Sequence, residues 1–304
     1  MSWQPDALWS KAKLYMSRAL EEDRDDAFFP FWSSLALEFL ARAAVAKVHP
    51  TLLAAPDVSM QNVLYALGKP APKKGAKSIP ASLVFELCKQ LVPNFGVDEV
   101  ALCESLANRR NEELHSGGLP FEQFAASDWV ARFYNTCNKL VIFQERSLVD
   151  FLGKEETTVA EKVMIAAEEA VIEKVKRSIS AHKITFEEKD KKTRERLLSA
   201  SKEEADRMSM RGGHGVKCPA CGASTWVTGD VIASQGAKYE DHQVVVRAAM
   251  LPTKIECIAC GLTLSTHAEL EVAGIGGQYT HTSYFHPVEY YGEHNEPDWE
   301  YSNE

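Results

Sequence analysis

Three residues near the end of a predicted helix have side chains that could cleave RNA without a metal ion. Arg110, Asn111 and His115 lie in the stretch NRRNEELHSGG, just before two glycines that end the helix. An imidazole can take the proton from a 2′-hydroxyl or give one to the leaving 5′-oxygen. A guanidinium can neutralise the charge that builds on the phosphorane-like transition state. The amide of Asn111 can hold the imidazole or the phosphate by hydrogen bonds.

The periodicity of this helix predicts that Arg110 faces a core or an interface. Arg110 and Leu106 share one row of the helix, and Asn111 and His115 share the neighbouring row. We expect both rows to face the core or an interface, because the charged side chains gather elsewhere on the helix. A buried arginine needs an anion, carbonyl groups or water, and an acid such as Glu38 could supply the anion. In the simpler interpretation this pair is structural and His115 only caps the helix.

A single helix of this kind offers one histidine, whereas acid and base catalysis are most easily performed by two groups. A symmetric pair of helices from two subunits would supply both groups. The apolar, small-residue face that carries the motif suits a helix that contacts its own copy. We therefore expect a homodimer that forms through the helical domain.

A second set of candidate residues consists of two Cys-x-x-Cys-Gly motifs, with cysteines at Cys218, Cys221, Cys257 and Cys260. In each motif two thiolates lie on a tight turn, and together the motifs offer the four ligands that tetrahedral Zn²⁺ prefers. Four cysteines leave no coordination position open, so we expect a structural zinc ion and no metal in catalysis. A redox function is the alternative, which we disfavour because the two pairs resemble each other rather than a thioredoxin-type context.

This half of the chain resembles the zinc-ribbon family, on the strength of the two motifs alone. The resemblance implies a small domain that binds DNA, RNA, a protein or nothing. Between Gly212 and Pro287 four basic residues stand against six acidic ones, which gives no phosphate-binding surface. We therefore expect this domain to contact a protein or to orient a substrate, rather than to bind DNA as a transcription regulator.

The elements that must position these residues predict a mainly α fold with a small β-rich domain. Periodicity and turn signals predict an N-terminal helical bundle over residues 1–153, whose last helix covers about 127–152. The charged stretch 154–211 predicts a solvated linker of one long or broken helix. Short alternating runs predict the strands of a zinc-ribbon domain over 212–287. Residues 288–304 are acidic and aromatic without periodicity, which is typical of a tail.

The string Arg110-Asn111-x-x-x-His115, late in a helix of a helical domain, resembles the motif of the HEPN family. That motif is Arg, four to six residues, then His, and a polar residue commonly follows the Arg. Residues 36–50 are similar to the family's early helix, with Glu38 at its polar position. The resemblance covers about residues 28–153. It implies a dimeric helical bundle and metal-independent endoribonuclease activity at a composite site, as in bacterial toxins and anti-phage systems, although some members only bind RNA or partners. The C-terminal zinc ribbon departs from the basic family pattern.

The bulk composition limits the classes of protein further. A chain of 304 residues with 45% hydrophobic and 25% charged residues is typical of a globular protein. A net charge of −9 argues against a protein that coats nucleic acid non-specifically. The N-terminus has no signal-peptide pattern, and Glu38, Arg42 and Lys47 interrupt the most apolar stretch, so we expect no membrane span. The cysteine usage fits metal binding in a reducing compartment, which predicts a cytoplasmic location.

The sequence therefore predicts a cytoplasmic, dimeric, metal-independent endoribonuclease with a structural zinc ribbon. RNA is the expected substrate, and an antitoxin or defence-system partner could restrain the activity. The rival hypothesis is a non-catalytic dimeric zinc-ribbon adaptor or a nucleic-acid-binding regulator. The sequence leaves open whether Glu38 joins the site. It also leaves open whether four lysines, Lys69, Lys73, Lys74 and Lys77, hold RNA phosphates or form a solvated loop.

Overall fold

The computed structural model describes residues 3–122 and 124–292, which form a mainly helical protein with a C-terminal β region. Helices make up 57% of the chain and strands 15%, so the predicted mainly α class with a β-rich C-terminal part is confirmed at this level. The chain divides into two compact units, Met1–Ala167 and Glu168–Glu304, and each has its own hydrophobic core.

The first unit is a bundle of helices joined by short connections. Its elements are α1 (Pro5–Leu20), α2 (Phe28–Val48), a 3₁₀ turn (Pro50–Leu53), α3 (Gln61–Ala66), α4 (Ala81–Leu91), α5 (Val97–His115), α6 (Ala126–Phe143), α7 (Leu148–Leu152) and the beginning of α8 (Lys154–Glu187). The helix that carries the candidate catalytic residues is α5.

Helix α2 is the central helix of the first unit. It contacts α1, α4, α5 and α6, and apolar residues on nearly all its sides explain why it is buried. By length and composition α2 could cross a bilayer, but 67% of its most apolar 18-residue window is buried inside the bundle. Such burial is typical of the core helix of a bundle. Two charged residues, Glu38 and Arg42, are buried on this helix.

The single helix predicted over residues 127–152 is in fact two helices, α6 and α7. Between them Glu145 has a left-handed backbone with φ 58°, through which a right-handed helix cannot continue. Ser147 then caps α7: its hydroxyl accepts a hydrogen bond from the Asp150 amide at 3.2 Å, and the Asp150 carboxylate accepts one from the Ser147 amide at 2.9 Å. Gly153, with φ 82°, ends α7 as predicted.

The connection between α3 and α4 is held in place by the side chain of Asn62. The Asn62 side-chain amide donates to the Ala55 carbonyl at 2.9 Å, and its Oδ1 accepts a hydrogen bond from the Lys77 amide at 2.8 Å. These bonds fix the end of residues 68–77, which we call the lysine segment.

The second unit is built on an antiparallel sheet around the long strand β4. Its elements are β1 (His214–Lys217), β2 (Ser224–Ser234), β3 (Lys238–Glu240), β4 (Gln243–Glu256), β5 (Thr263–Leu264), α10 (His267–Val272), β6 (Tyr279–Phe285) and α11 (Pro287–Gly292). Strand β4 pairs with β2, β3, β5 and β6, and β1 pairs with β2. The predicted tail, 288–304, begins within α11, and its residues 293–304 lie outside the described part of the chain.

The charged segment 154–211 is less solvated than we expected of a linker. It forms α8 and α9 (Lys191–Ser209). Ala160 is buried in the core of the first unit, whereas Val175 and Phe186 are buried in the core of the second. Helix α9 packs on β1 and β2. The structure therefore assigns most of this segment to the second unit, because its widely spaced apolar residues find partners in that unit.

Candidate functional site

The guanidinium of Arg110, on α5, is paired with the carboxylate of Glu38, on α2. The Arg110 side chain is 10% exposed, and its Nη1 donates to Glu38 Oε2. Its Nε and Nη2 donate to Asn111 Oδ1 at 3.3 and 2.9 Å. Glu38, Arg110 and Asn111 therefore form one hydrogen-bonded group. The anion that a buried Arg110 requires is the acid that the sequence suggested.

Arg42 is a second guanidinium on the same carboxylate, and its place in the site was not predicted from the sequence. Its Nε donates to Glu38 Oε1 at 2.8 Å, its Nη1 to Ser78 Oγ at 3.3 Å and its Nη2 to the Ile79 carbonyl at 3.2 Å. Arg42 follows Glu38 by four residues, which is the spacing of a helical ion pair. The same spacing is common on exposed helix surfaces, so it does not indicate burial.

Two guanidiniums share one carboxylate in this group, which leaves one formal positive charge. Burial raises the pKa of Glu38, but the attraction of Arg42 and the hydrogen bond from Arg110 outweigh this effect, so that the pKa is lowered from 4.5. Glu38 is therefore ionised at neutral pH. The remaining positive charge, at low exposure to water, favours an anion nearby.

Asn111 and His115 are exposed in the single chain, so of the two predicted settings for this row, a core or an interface, the core is excluded at these two positions. The row is buried at Cys103 and Ala107 and reaches solvent one turn later, at Asn111. His115 is the last residue of α5, and its side chain is exposed. The structure thus places Asn111 against Arg110 and leaves His115 open to solvent at the next turn.

The adjacent Arg109 has different surroundings from Arg110. Its Nη1 donates to the Pro120 carbonyl at 2.7 Å, and its guanidinium lies 4.2 Å from the centre of the Phe124 ring. These contacts attach the segment after α5 to the helix. Arg109 is therefore a packing residue, and Arg110 is the arginine that belongs to the candidate site.

An apolar depression lies where the start of α2 meets the last turns of α5. This cavity of about 220 Å³ is lined by Ala27, Phe28, Phe31, Glu113 and Leu114. Phe28 is 56% exposed and Leu114 is 57% exposed. Large apolar side chains that are exposed next to each other suit contact with another molecule.

The four predicted metal ligands come together in the second unit. The Sγ atoms of Cys218, Cys221, Cys257 and Cys260 all lie within 4.8 Å of one another. Cys218 and Cys260 are 3.6 Å apart, as are Cys221 and Cys257. Sulfurs bound tetrahedrally at about 2.3 Å from Zn²⁺ would lie about 3.8 Å from each other. The cluster is therefore compatible with a structural zinc ion.

The two cysteine motifs fold into the same tight turn. The Gly222 amide donates to the Cys218 carbonyl at 2.9 Å, and the Gly261 amide donates to the Cys257 carbonyl at 2.7 Å. Gly222 and Gly261 have left-handed φ angles of 72° and 82°, which side chains with a Cβ rarely adopt. The long spacer between the motifs contains β2, β3 and β4, and the antiparallel pairing of β2 with β4 returns the chain to the first motif.

The closeness of the four sulfurs changes their acidity in opposite directions. Hydrogen bonds with the other three sulfurs lower the pKa of Cys257 and raise the pKa of Cys260. Four thiolates at this spacing repel one another, so the set reaches full ionisation only with a cation between them. The ligand set therefore fits Zn²⁺ in charge as well as in distance.

The other three cysteines, Cys88, Cys103 and Cys137, are buried in the core of the first unit. Burial raises the pKa of Cys88 to about 12 and also raises the pKa of the other two. Thiols of this kind are unreactive. These cysteines are therefore packing residues.

Comparison of the chain with protein-family models, with curated proteins and with solved structures finds no match. The structure itself presents two groups of chemically distinctive residues: the Arg110 group in the first unit and the cysteine cluster in the second.

Proposed function

We propose that the protein is a metal-independent endoribonuclease of the HEPN type. The observation that best supports the proposal is the group of Glu38, Arg110 and Asn111, one helical turn before the exposed His115. A guanidinium that is already fixed can stabilise charge in a transition state without reorganising. An accessible imidazole can transfer the protons of the reaction.

The proposed reaction is an attack of the RNA 2′-oxygen on the adjacent phosphorus. A base removes the proton of the 2′-hydroxyl, the bond from phosphorus to the 5′-oxygen breaks, and an acid gives that oxygen a proton. The products are a 2′,3′-cyclic phosphate and a 5′-hydroxyl, and neither water nor a metal ion is consumed. Arg110 would neutralise the non-bridging oxygens, which carry the developing charge.

We propose that the active form is a homodimer in which both copies contribute a histidine. The apolar depression that contains Phe28 and Leu114 lies on the same end of α5 as Asn111 and His115. A second copy that covers this depression would bring its own α5 close to the first. In a symmetric contact the same patch serves both subunits.

In this proposal the cysteine cluster holds the structural zinc ion of a zinc ribbon. A four-thiolate site has no open coordination position, so the metal takes no part in the cleavage. The acidic balance of this unit favours a contact with a protein, or a role in orienting the substrate, over direct binding to DNA.

The test of the catalytic proposal is RNA cleavage by the wild-type protein and two variants in a buffer without added divalent cations, where the structural zinc proposed for the second unit is retained. We expect fragments that end in a 2′,3′-cyclic phosphate from the wild type, and a loss of at least about 100-fold in rate for His115→Ala. His49→Ala is the matched control, since His49 is also exposed in the first unit and should leave the rate unchanged. Equal cleavage by the wild type and His115→Ala, or cleavage by none of the proteins, would refute the proposal.

We propose a cytoplasmic toxin or anti-phage function for this activity, with a partner protein that restrains it. The support is the resemblance of the Arg110-Asn111-x-x-x-His115 string to defence ribonucleases. Expression of the wild type in a bacterial host should arrest growth, and expression of His115→Ala at the same level should not. Growth arrest by both proteins would indicate toxicity of another origin.

A second candidate function is a non-catalytic dimeric adaptor, and one contact favours it. The guanidinium of Arg110 is already paired with Glu38 of the same chain, as a purely structural arginine would be. In an adaptor Arg110 would contribute to stability, and His115→Ala would leave every measured property unchanged. The cleavage experiment separates the two functions directly.

A further inference from the structure

The lysine segment, residues 68–77, is the clearest concentration of positive charge in an acidic chain. Its sequence, GKPAPKKGAK, contains four lysines and no acidic residue, whereas the whole protein has a net charge of −9. The side chains of all four lysines are exposed: Lys69, Lys73, Lys74 and Lys77. Within the part of the chain that the structure describes, none of them forms an ion pair. Their charge is therefore free to meet an external anion.

The end of the lysine segment has a fixed position on the bundle. The Ala55 amide donates to the Lys77 carbonyl at 3.0 Å, and the Ile79 amide donates to the Leu53 carbonyl at 2.9 Å. Between these two hydrogen bonds, an isolated antiparallel bridge pairs Ser78 with Ala54, which follows the 3₁₀ turn. The beginning of the segment is also tied, because the Lys69 amide donates to the Leu64 carbonyl at 2.9 Å. Fixing both ends lowers the entropy lost when a ligand binds.

The end of the lysine segment is also connected to the candidate catalytic group. The Arg42 guanidinium donates to Ser78 Oγ and to the Ile79 carbonyl, and it also donates to Glu38. Glu38 in turn accepts a hydrogen bond from Arg110. Two side chains, Arg42 and Glu38, therefore separate the end of the lysine segment from Arg110.

We propose that the lysine segment binds the phosphate backbone of single-stranded RNA and holds it for cleavage at the Arg110 group. This inference rests on the proposed function and names the part of the surface that retains the substrate. Four cations over nine residues match a flexible chain with one negative charge per nucleotide. The end of the segment is linked to Arg110 through Arg42 and Glu38, which places the proposed binding surface near the reactive group.

An anionic membrane is the other polyanion that this surface could meet. Met60 and Leu67, which precede the lysines, are 54% and 57% exposed, and lysines beside apolar residues can attract acidic lipids. Helix α3 has only six residues, which is short for an amphipathic helix that lies in a membrane interface. The short helix, and the nearness of the segment to the proposed catalytic group, favour RNA.

The test is binding of a labelled single-stranded RNA by protein that carries His115→Ala, so that the RNA stays intact. In this background K69Q/K73Q/K74Q/K77Q should weaken binding by about 10- to 100-fold, because contacts to phosphates are lost. Each lost contact also removes about 0.7 from the steepness of the plot of log K against log salt. The slope should become shallower by about 2 to 3 for the same reason. A change in affinity without a change in slope would overturn the inference.

The matched control carries the same charge change on α8 and α9: K162Q/K176Q/K192Q/K202Q. These four lysines are exposed, and the control should bind RNA as the parent does. An equal loss in both variants would indicate general electrostatics and would overturn the inference. Lysine-dependent binding to phosphatidylserine vesicles, with RNA binding unaffected, would overturn it in favour of a membrane.

Cleavage measured with His115 intact separates this inference from the proposed function. If the wild type cleaves RNA and the four-lysine variant cleaves it with an unchanged KM, the lysine segment is not the RNA-binding surface. If the wild type does not cleave RNA but binds it through the lysines, the binding surface stands and the ribonuclease proposal fails. The expected result is cleavage by both proteins, with a raised KM for the variant.

Discussion

Glu38 is the residue on which the buried charges of the first unit depend. It accepts hydrogen bonds from Arg42 and Arg110, and all three residues are at most 9% exposed. Removing one partner of a buried ion pair leaves the other charge without compensation, which costs about 3–5 kcal/mol. In this group the loss of one carboxylate would leave two guanidiniums facing each other.

We therefore expect Glu38→Gln to lower the free energy of unfolding of the first unit by about 3 kcal/mol. The glutamine can still accept a hydrogen bond, but it carries no charge to offset Arg42 and Arg110. Urea denaturation followed by helical circular dichroism measures the change. Glu161→Gln, at an exposed position on α8, is the control and should change stability by less than about 0.5 kcal/mol. A loss of the same size in both variants would contradict the role assigned to Glu38.

The same carboxylate predicts a dependence of stability on pH. Its folded pKa lies below the ordinary value of 4.5, because Arg42 and Arg110 outweigh the effect of burial. A lowered folded pKa means that the stabilisation is fully present above pH 4.5 and is lost as the pH falls through the folded pKa. The difference in unfolding free energy between wild type and Glu38→Gln should therefore be constant near neutral pH and shrink below pH 4.5. Denaturation curves on both sides of that pH test this, and a difference that persists in acid would disprove the assignment.

At the scale of the elements, the cysteine motifs and the strands between them together form the candidate metal site. The antiparallel pairing of β2 with β4 returns the second motif to the first, and both motifs use the same glycine turn. Without a cation, four sulfurs within 4.8 Å of one another repel when they ionise. The metal is therefore expected to stabilise this end of the sheet.

We expect one zinc ion per chain and a loss of stability of the second unit when a strong chelator removes it. Metal binding that is coupled to folding contributes directly to the folding free energy, so the thermal midpoint of this unit should fall with the zinc content. Cys257→Ser should reduce the bound zinc, whereas Cys103→Ala, at a buried cysteine of the first unit, should retain it. Elemental analysis with thermal unfolding measures both effects. Full zinc occupancy in Cys257→Ser would exclude the four-cysteine site.

The features that the sequence predicts well are those set by short-range spacing. The four cysteines are recognisable because two equal motifs each place two thiolates on one turn, and Arg110 is recognisable because it interrupts an apolar helix face. The burial of Val175 and Phe186 was missed, because it depends on a sheet that follows later in the chain. The role of Arg42 was missed for the same reason, since its partners Ser78 and Ile79 are distant in sequence.

At the scale of the whole molecule, the proposed activity requires a second copy of the chain. A single first unit has one Arg110 and one His115 at the end of α5, next to an exposed apolar depression. A dimer that buries Phe28 and Leu114 would remove these apolar surfaces from water, at about 25 cal/mol for each Å² buried. The same contact would place two α5 helices side by side.

We expect Leu114→Asp to convert the proposed homodimer to a monomer and to abolish RNA cleavage, because an aspartate would be buried without a partner in the proposed contact. Ile142→Asp is the matched control: Ile142 is 62% exposed on α6 and does not line the apolar depression, and the substitution should leave both mass and cleavage unchanged. Sedimentation velocity gives the mass, and the helical circular dichroism of both variants should equal that of the wild type. A monomeric Leu114→Asp protein that cleaves RNA at the wild-type rate would show that one chain carries a complete site. A dimeric Leu114→Asp protein would place the contact elsewhere on the bundle.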